Sequence, residues 1–97
     1  MRAIYTDEAL RDLDDILAFI AERYPTVSML FENRLRAATR RINAWPNSAP
    51  EIVERPGVRV LPLIPYPYRL FYRVTGERVE VLHIYHASRQ QPWQAKR

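Results

Sequence analysis

The chain has 97 residues, no cysteine and two histidines, His83 and His86, which suits one domain (1–97) burying roughly 60–70% of its unfolded surface without covalent staples. Disulfides and thiolate metal sites are excluded, two imidazoles give no basis for a structural zinc site, and no cofactor is expected. Fifteen basic residues against eleven acids leave a net charge of +4, divided unevenly: residues 1–33 hold three arginines and seven acids, whereas residues 34–97 hold eleven arginines, Lys96 and four acids.

Such a division predicts a basic surface that attracts nucleic acid or an acidic protein, with the acidic part on another face. No apolar run approaches the 18 or so residues that span a bilayer, and the first residues lack the apolar core of a signal peptide, so the expectation is a soluble cytoplasmic protein without a membrane partner.

Residues 2–5 form a first candidate strand, too short for periodicity to decide. Thr6 is placed to cap a helix, with Asp7 and Glu8 in the first turn, where acids complement the helix dipole. Leu10, Leu13, Ile16, Leu17, Ile20, Ala21 and Tyr24 recur at helical spacing, leaving Arg11, Asp12, Asp14, Asp15, Glu22 and Arg23 largely outward. Pro25 ends this helix. Thr26 is expected to cap a second one, whose apolar stripe is Val27, Phe31, Leu35, Ala38, Ile42 and Trp45. Its other side carries Arg34, Arg36, Arg40 and Arg41, which read either as a solvated helix face or as a contact to phosphate or an acidic partner. A two-residue break favours an antiparallel helical hairpin laid across a sheet.

Pro46, Pro50 and Pro56 punctuate a loop, and Gly57 leads into a strand over 58–63. Pro62, Pro65 and Pro67 lack backbone donors, so this strand is short or at an edge. The run LPLIPYPY is too apolar for a free linker and is expected to pack on the sheet or on a partner.

Tyr68–Thr75 and residues 78–85 are rich in β-branched and aromatic residues, and Gly76-Glu77 between them suits a two-residue turn with positive φ at the glycine. With Thr75 facing Arg78, the register pairs Arg73 with Glu80, Phe71 with Leu82, Leu70 with His83 and Tyr68 with Tyr85. One face then carries Tyr68, Leu70, Tyr72, Val74, Val79, Val81, His83 and Tyr85, the expected core face, on which His83 is a satisfied core histidine. The other carries Arg69, Phe71, Arg73, Glu80, Leu82 and Ile84, an apolar patch among charges that calls for a cover. A turn longer by one residue exchanges the faces and exposes His83. The segment 88–97 is a polar tail with one large apolar anchor, Trp93. The sum is an α+β domain of order β-α-α-β-β-β, a helical hairpin on one face of a small antiparallel or mixed sheet.

Three stretches, YTDEALRDLDDI, YRLFYRV and VEVLHIYHASR, in this order and spacing resemble the RelE/ParE superfamily of type II toxins, and its ParE-like branch more than the RelE branch. The resemblance covers nearly the whole chain. It implies a growth-inhibiting bacterial toxin held inactive by a cognate antitoxin whose flexible C-terminal part folds onto it. ParE-like members act on DNA gyrase and stall it with broken DNA; RelE-like members are ribosome-dependent mRNA endonucleases.

Cleavage through a 2′-hydroxyl needs a base, an acid and cations around the scissile phosphate. For that reading the candidates are His86, Arg89, Arg59 and Tyr85; against it, Lys96 is the one lysine, where RelE-like nucleases carry a dense basic set. The leading expectation is therefore gyrase inhibition by binding, without catalysis. Its target-contact candidates are Arg59, Arg69, His86, Arg89 and Trp93, with Arg59 and Arg89 the freer cations because Arg69 and Arg73 share a face with Glu80. His86 has two readings, a ring bonded to the backbone of the adjoining loop or a target contact. Trp93 likewise either anchors the tail or meets the target. Phe71, Leu82, Ile84, Leu63 and Ile64 are the candidates for antitoxin contact.

Overall fold

The computed structural model describes residues 2–88. Along the chain lie β1 (Arg2–Tyr5), α1 (Asp7–Arg23), a 3-10 turn (Pro25–Val27), α2 (Ser28–Ala44), β2 (Val58–Pro62), β3 (Tyr68–Thr75) and β4 (Arg78–His86). They build one four-stranded sheet in the order β1-β4-β3-β2. β1 is parallel to β4 and the other neighbours are antiparallel, so the expected order of elements holds and the sheet is mixed.

The Thr6 hydroxyl caps α1 by accepting from the Ala9 N–H at 3.2 Å. Ala9, Ile16 and Ile20 are buried beneath the helix, with Leu13 and Leu17 packed beside them. Leu10, Ala21 and Tyr24, which the spacing assigns to the same stripe, are exposed. On α2, Phe31, Leu35, Ala38 and Ile42 are buried, but Trp45 lies past the last turn and is 68% exposed. Thr26 caps nothing: Pro25, at the first position of the 3-10 turn, draws Val27 N–H onto the Tyr24 carbonyl at 2.8 Å, and α2 starts at Ser28 without a side-chain cap. β2 stops at Pro62, and the Leu63 N–H instead reaches the Tyr68 carbonyl at 2.9 Å.

The hairpin turn is as expected. Gly76 has φ +60, and Thr75 faces Arg78 through to Tyr72 facing Val81. Beyond that pair the register slips by one, so that Phe71 faces His83, Leu70 faces Ile84 and Tyr68 faces His86, with Leu82 as the extra residue of a bulge. The slip exchanges the faces of the end of β4. Ile84 joins the helix-side core with Leu70, Tyr72, Val79 and Val81, while Tyr85 joins Phe71, Leu82 and Val58 in a second cluster. His83 is therefore not on the helix-side core face; its ring stacks on Tyr85 at 4.7 Å, in line with the second cluster. Ile52 and Val60 from the loop and β2 pack against that cluster.

The bulge lies where β1 ends. Past Tyr5 the edge of β4 is taken over by α1: the Thr6 N–H donates to the Val81 carbonyl at 3.1 Å, and the Thr6 hydroxyl reaches the Val81 and Leu82 carbonyls. Asp12 completes the seal. Its Oδ2 accepts the Ile84 N–H at 3.1 Å and lies 3.4 Å from His83 Nδ1, so this carboxylate faces the sheet and not solvent.

On the turn end of the hairpin, Arg73 Nε donates to Glu80 Oε1 at 2.8 Å, and Arg78 approaches the other oxygen at 4.0 Å. The Arg73 bond holds the Glu80 carboxyl below its usual value of 4.5. A lowered carboxyl stabilises the fold above its ordinary titration range and ceases to do so as pH falls through its folded value. Glu80→Gln should therefore lower the Tm at pH 7, with the difference from the parent chain shrinking steadily below about pH 4. A difference in Tm that stays constant from pH 7 to pH 3 would contradict this assignment.

Candidate functional site

At the end of the sheet away from the hairpin turn, five segments enclose an apolar cavity of about 570 Å³ lined by Phe19, Ile20, Tyr24, Val27, Tyr66, Pro67, Tyr68 and His86. The last turns of α1 bring Phe19 and Tyr24, edge to face at 6.2 Å, and Arg23 sits over the Phe19 ring at 5.4 Å. The floor is anchored by Phe31 of α2, fully buried, against which Tyr66 and Tyr68 stand edge to face at 5.4 and 5.6 Å. Tyr68 in turn meets the His86 ring at 5.4 Å.

The walls are fixed by backbone bonds and one arginine. Arg34 donates from Nε to the Ile64 carbonyl at 2.8 Å and from Nη2 to the Pro62 carbonyl at 3.3 Å, clamping the loop that carries Tyr66 and contains the cis Ile64-Pro65 bond. Tyr66 N–H bonds the Leu63 carbonyl at 2.9 Å, and Ala87 N–H bonds the Pro67 carbonyl at 2.7 Å, tying the end of β4 to the start of β3. Burial raises the Tyr68 phenol above its ordinary value of 10.0, so its hydroxyl stays protonated and neutral near pH 7.

His86 is exposed, and its Nδ1 takes the Ser88 N–H at 3.2 Å with the Ser88 hydroxyl at 2.7 Å. A backbone N–H only donates, so Nδ1 accepts and the proton of the neutral ring sits on Nε2. Of the two readings of this histidine, the bond to the adjoining loop is present. The Nε2 donor is not engaged in that bond.

Among the described residues, the other candidates do not gather around His86. Arg59 faces Tyr72, four positions along β3 from Tyr68, and donates to the Asn47 and Ala49 carbonyls at 3.2 and 2.6 Å while lying 3.6 Å from Glu51. It is a loop clamp, not the free cation expected. Tyr85 is buried against His83 and Phe71. Arg69 is exposed on β3 between Pro62 and Tyr85. Arg89 and Trp93 lie outside the described residues. Of the antitoxin-contact candidates, Leu63, Phe71, Leu82 and Ile84 are buried within the chain, and Ile64 is exposed.

Phe19, Tyr24, Tyr66 and Tyr68 were not singled out as site residues from the sequence. The available signal was the density of rings at the end of α1 and in LPLIPYPY, whose convergence depends on how the loop is clamped. A second concavity, about 530 Å³, runs between the helices beside β1, with Tyr5, Leu10, Leu13, Leu35 and Thr39 on its floor and Arg36 and Arg40 at its margin. Ile4 is also partly exposed on β1, the parallel edge strand.

A family model described as ParE toxin of type II toxin-antitoxin system, parDE, matches residues 3–91. The chain belongs to the ParE toxin family. Among solved structures, this ParE-family chain is similar to one from the chromosomal ParDE TA system of P. aeruginosa, with 26% identity over 91% of this chain and 97% of that one and a TM-score of 0.79. It also shares its fold with a YoeB/ParE toxin from Agrobacterium tumefaciens, with 17% identity over 89% of this chain and 98% of that one and a TM-score of 0.61. No curated protein sequence matches it. Membership of the ParE family of type II toxins implies an antitoxin partner.

Proposed function

We propose that this ParE-family toxin acts in the cytoplasm by binding DNA gyrase and stalling it, without catalysing a reaction of its own, and that its cognate antitoxin neutralises it by covering exposed apolar surface. The observation that carries the binding reading is the make-up of the cavity at His86. Its lining is aromatic and aliphatic with one imidazole, the Arg23 cation lies over the Phe19 ring, and Arg59 is held elsewhere by two carbonyls. Phosphodiester cleavage calls instead for an acid, a base and a cation converging on one phosphate. Aromatic rings around a concave site are what a protein partner's anchor residue fills.

For the antitoxin, the floor of the groove between the helices, with the exposed Leu10, offers a place where an amphipathic segment can fold, with Arg36 and Arg40 meeting its acidic residues. The purified chain should inhibit gyrase supercoiling or accumulate cleaved gyrase–DNA complexes at micromolar concentration, and the antitoxin encoded beside it should reverse this. Absence of any effect on gyrase from a folded sample, together with specific cuts in mRNA after expression in cells, would replace this reading with the nuclease one.

A further inference from the structure

The arginines of α2 divide into two groups. Arg34 is bonded to the Pro62 and Ile64 carbonyls, and Arg36 is bonded to Asn33 and lies 4.0 Å from Glu32. Arg40 and Arg41 are exposed, and among the described residues neither forms an ion pair. They border a concavity of about 570 Å³ at the end of α2, whose remaining lining is Ala37, Ala44, Trp45 and Ser48. Among the described residues no acid contributes to it. Ala37 precedes Arg41 by four residues and Ala44 follows Arg40 by four, so small side chains sit beside each guanidinium and leave a low floor between the two cations and the indole.

Trp45 is one of the larger apolar side chains of the molecule and is 68% exposed. Its mount is rigid: the Trp45 N–H donates to the Arg41 carbonyl at 2.8 Å, and its own carbonyl accepts from the Ser48 hydroxyl at 2.8 Å and the Ser48 N–H at 3.1 Å. A solvent-exposed ring on a pinned backbone, beside two guanidinium groups without an ion pair among the described residues, is the combination that binds an unpaired base by stacking while its phosphates are neutralised. An acidic peptide would use the cations as well, but a nucleic acid supplies a phosphate and a planar base at every residue.

We infer that the Arg40, Arg41 and Trp45 surface is a binding site for single-stranded nucleic acid. This inference does not rest on the cavity at His86 and so stands apart from the gyrase reading; Arg40 is shared with the groove proposed for the antitoxin, whereas Arg41 and Trp45 are not. DNA and RNA share the phosphate and base chemistry, and two probes separate them: fluorescence anisotropy of the full chain with labelled dodecamers of deoxythymidine and of uridine, titrated from low to physiological salt. At least one is expected to bind. Trp45→Ala and the double substitution Arg40→Gln with Arg41→Gln should each weaken it about tenfold or more, while Trp45→Phe retains it. The double substitution should also flatten the logarithmic salt dependence by about 0.7 per lost contact. Arg11→Gln, an exposed charge change on α1, is the control and should stay within about twofold of the parent chain. Failure of both oligonucleotides to bind, an unchanged affinity in Trp45→Ala, or an equal loss in Arg11→Gln would overturn the inference. All four positions are exposed, so circular dichroism should report intact folding for every variant.

Discussion

Phe31→Ala is expected to lower the unfolding free energy by about 3–5 kcal/mol, the range for truncating a buried ring. Phe31 is fully buried, and both Tyr66 and Tyr68 stand edge to face upon it, so the substitution removes the support behind two rings that line the cavity as well as core volume. For a domain with a total stability of about 5–15 kcal/mol the loss unfolds a large share of the chain only at the low end of that range, and any toxicity lost in this way has a reason unrelated to target contact. Phe19→Ala is the informative partner. Phe19 lies on the wall of the same cavity but is 46% exposed, so its removal should change stability by about 1 kcal/mol or less. If the cavity holds the target, Phe19→Ala is folded and non-toxic. A folded Phe19→Ala that is as toxic as the parent would assign the activity to another surface.

Asp12→Ala should cost about 1–3 kcal/mol, although Asp12 stands among helix residues that alternate with charges. Its carboxylate is the acceptor for the Ile84 N–H on the edge of β4 away from β3, past the last residue paired with β1, and His83 Nδ1 lies 3.4 Å away. Alanine leaves a buried backbone donor without its acceptor and opens the seam between α1 and β4. Asp12→Asn keeps an acceptor oxygen and should lose less. Urea unfolding at pH 7 measures both, with a lower midpoint and an unchanged slope. Asp14→Ala, on the exposed side of the same helix, provides the baseline, and a cost for Asp12→Ala no greater than that of Asp14→Ala would show that the seam contributes nothing.

Both substitutions bear on how far function can be read from loss of toxicity. His83 and Tyr85 are built into the second cluster and the Asp12 seam, so changes there act on the fold first. His86 and Phe19 are exposed to different degrees at one cavity, and changes there act on what the cavity can receive.

Local chemistry determined a good deal. The Thr6 cap with Asp7 and Glu8 behind it, the apolar spacing of Ile16 and Ile20, the Gly76 turn and the Arg73–Glu80 pair were legible because each depends on residues near in sequence or directly opposed across a short turn. Together with the alternation of the first half of the hairpin, they imply a helical hairpin on a sheet and the order of its elements.

What the sequence left open was decided at a distance. The bulge at Leu82 sits where β1 hands the edge of β4 to Thr6 and Asp12, some 70 residues away along the chain, and period-two alternation cannot register an exchange imposed from outside the strand. That exchange placed Ile84 in the core and turned His83 and Tyr85 to the other face, while Val58, Val60 and Ile52 pack on the cluster that holds Phe71 and Leu82, so most of the surface expected to meet the antitoxin is buried. The commitment of Arg34 and Arg59 to carbonyls, the gathering of four rings at His86 and the exposure of Trp45 past the last turn of α2 are likewise tertiary facts. Composition supplies cations and rings, but only the packed chain decides which of them it uses itself and which it leaves for a partner.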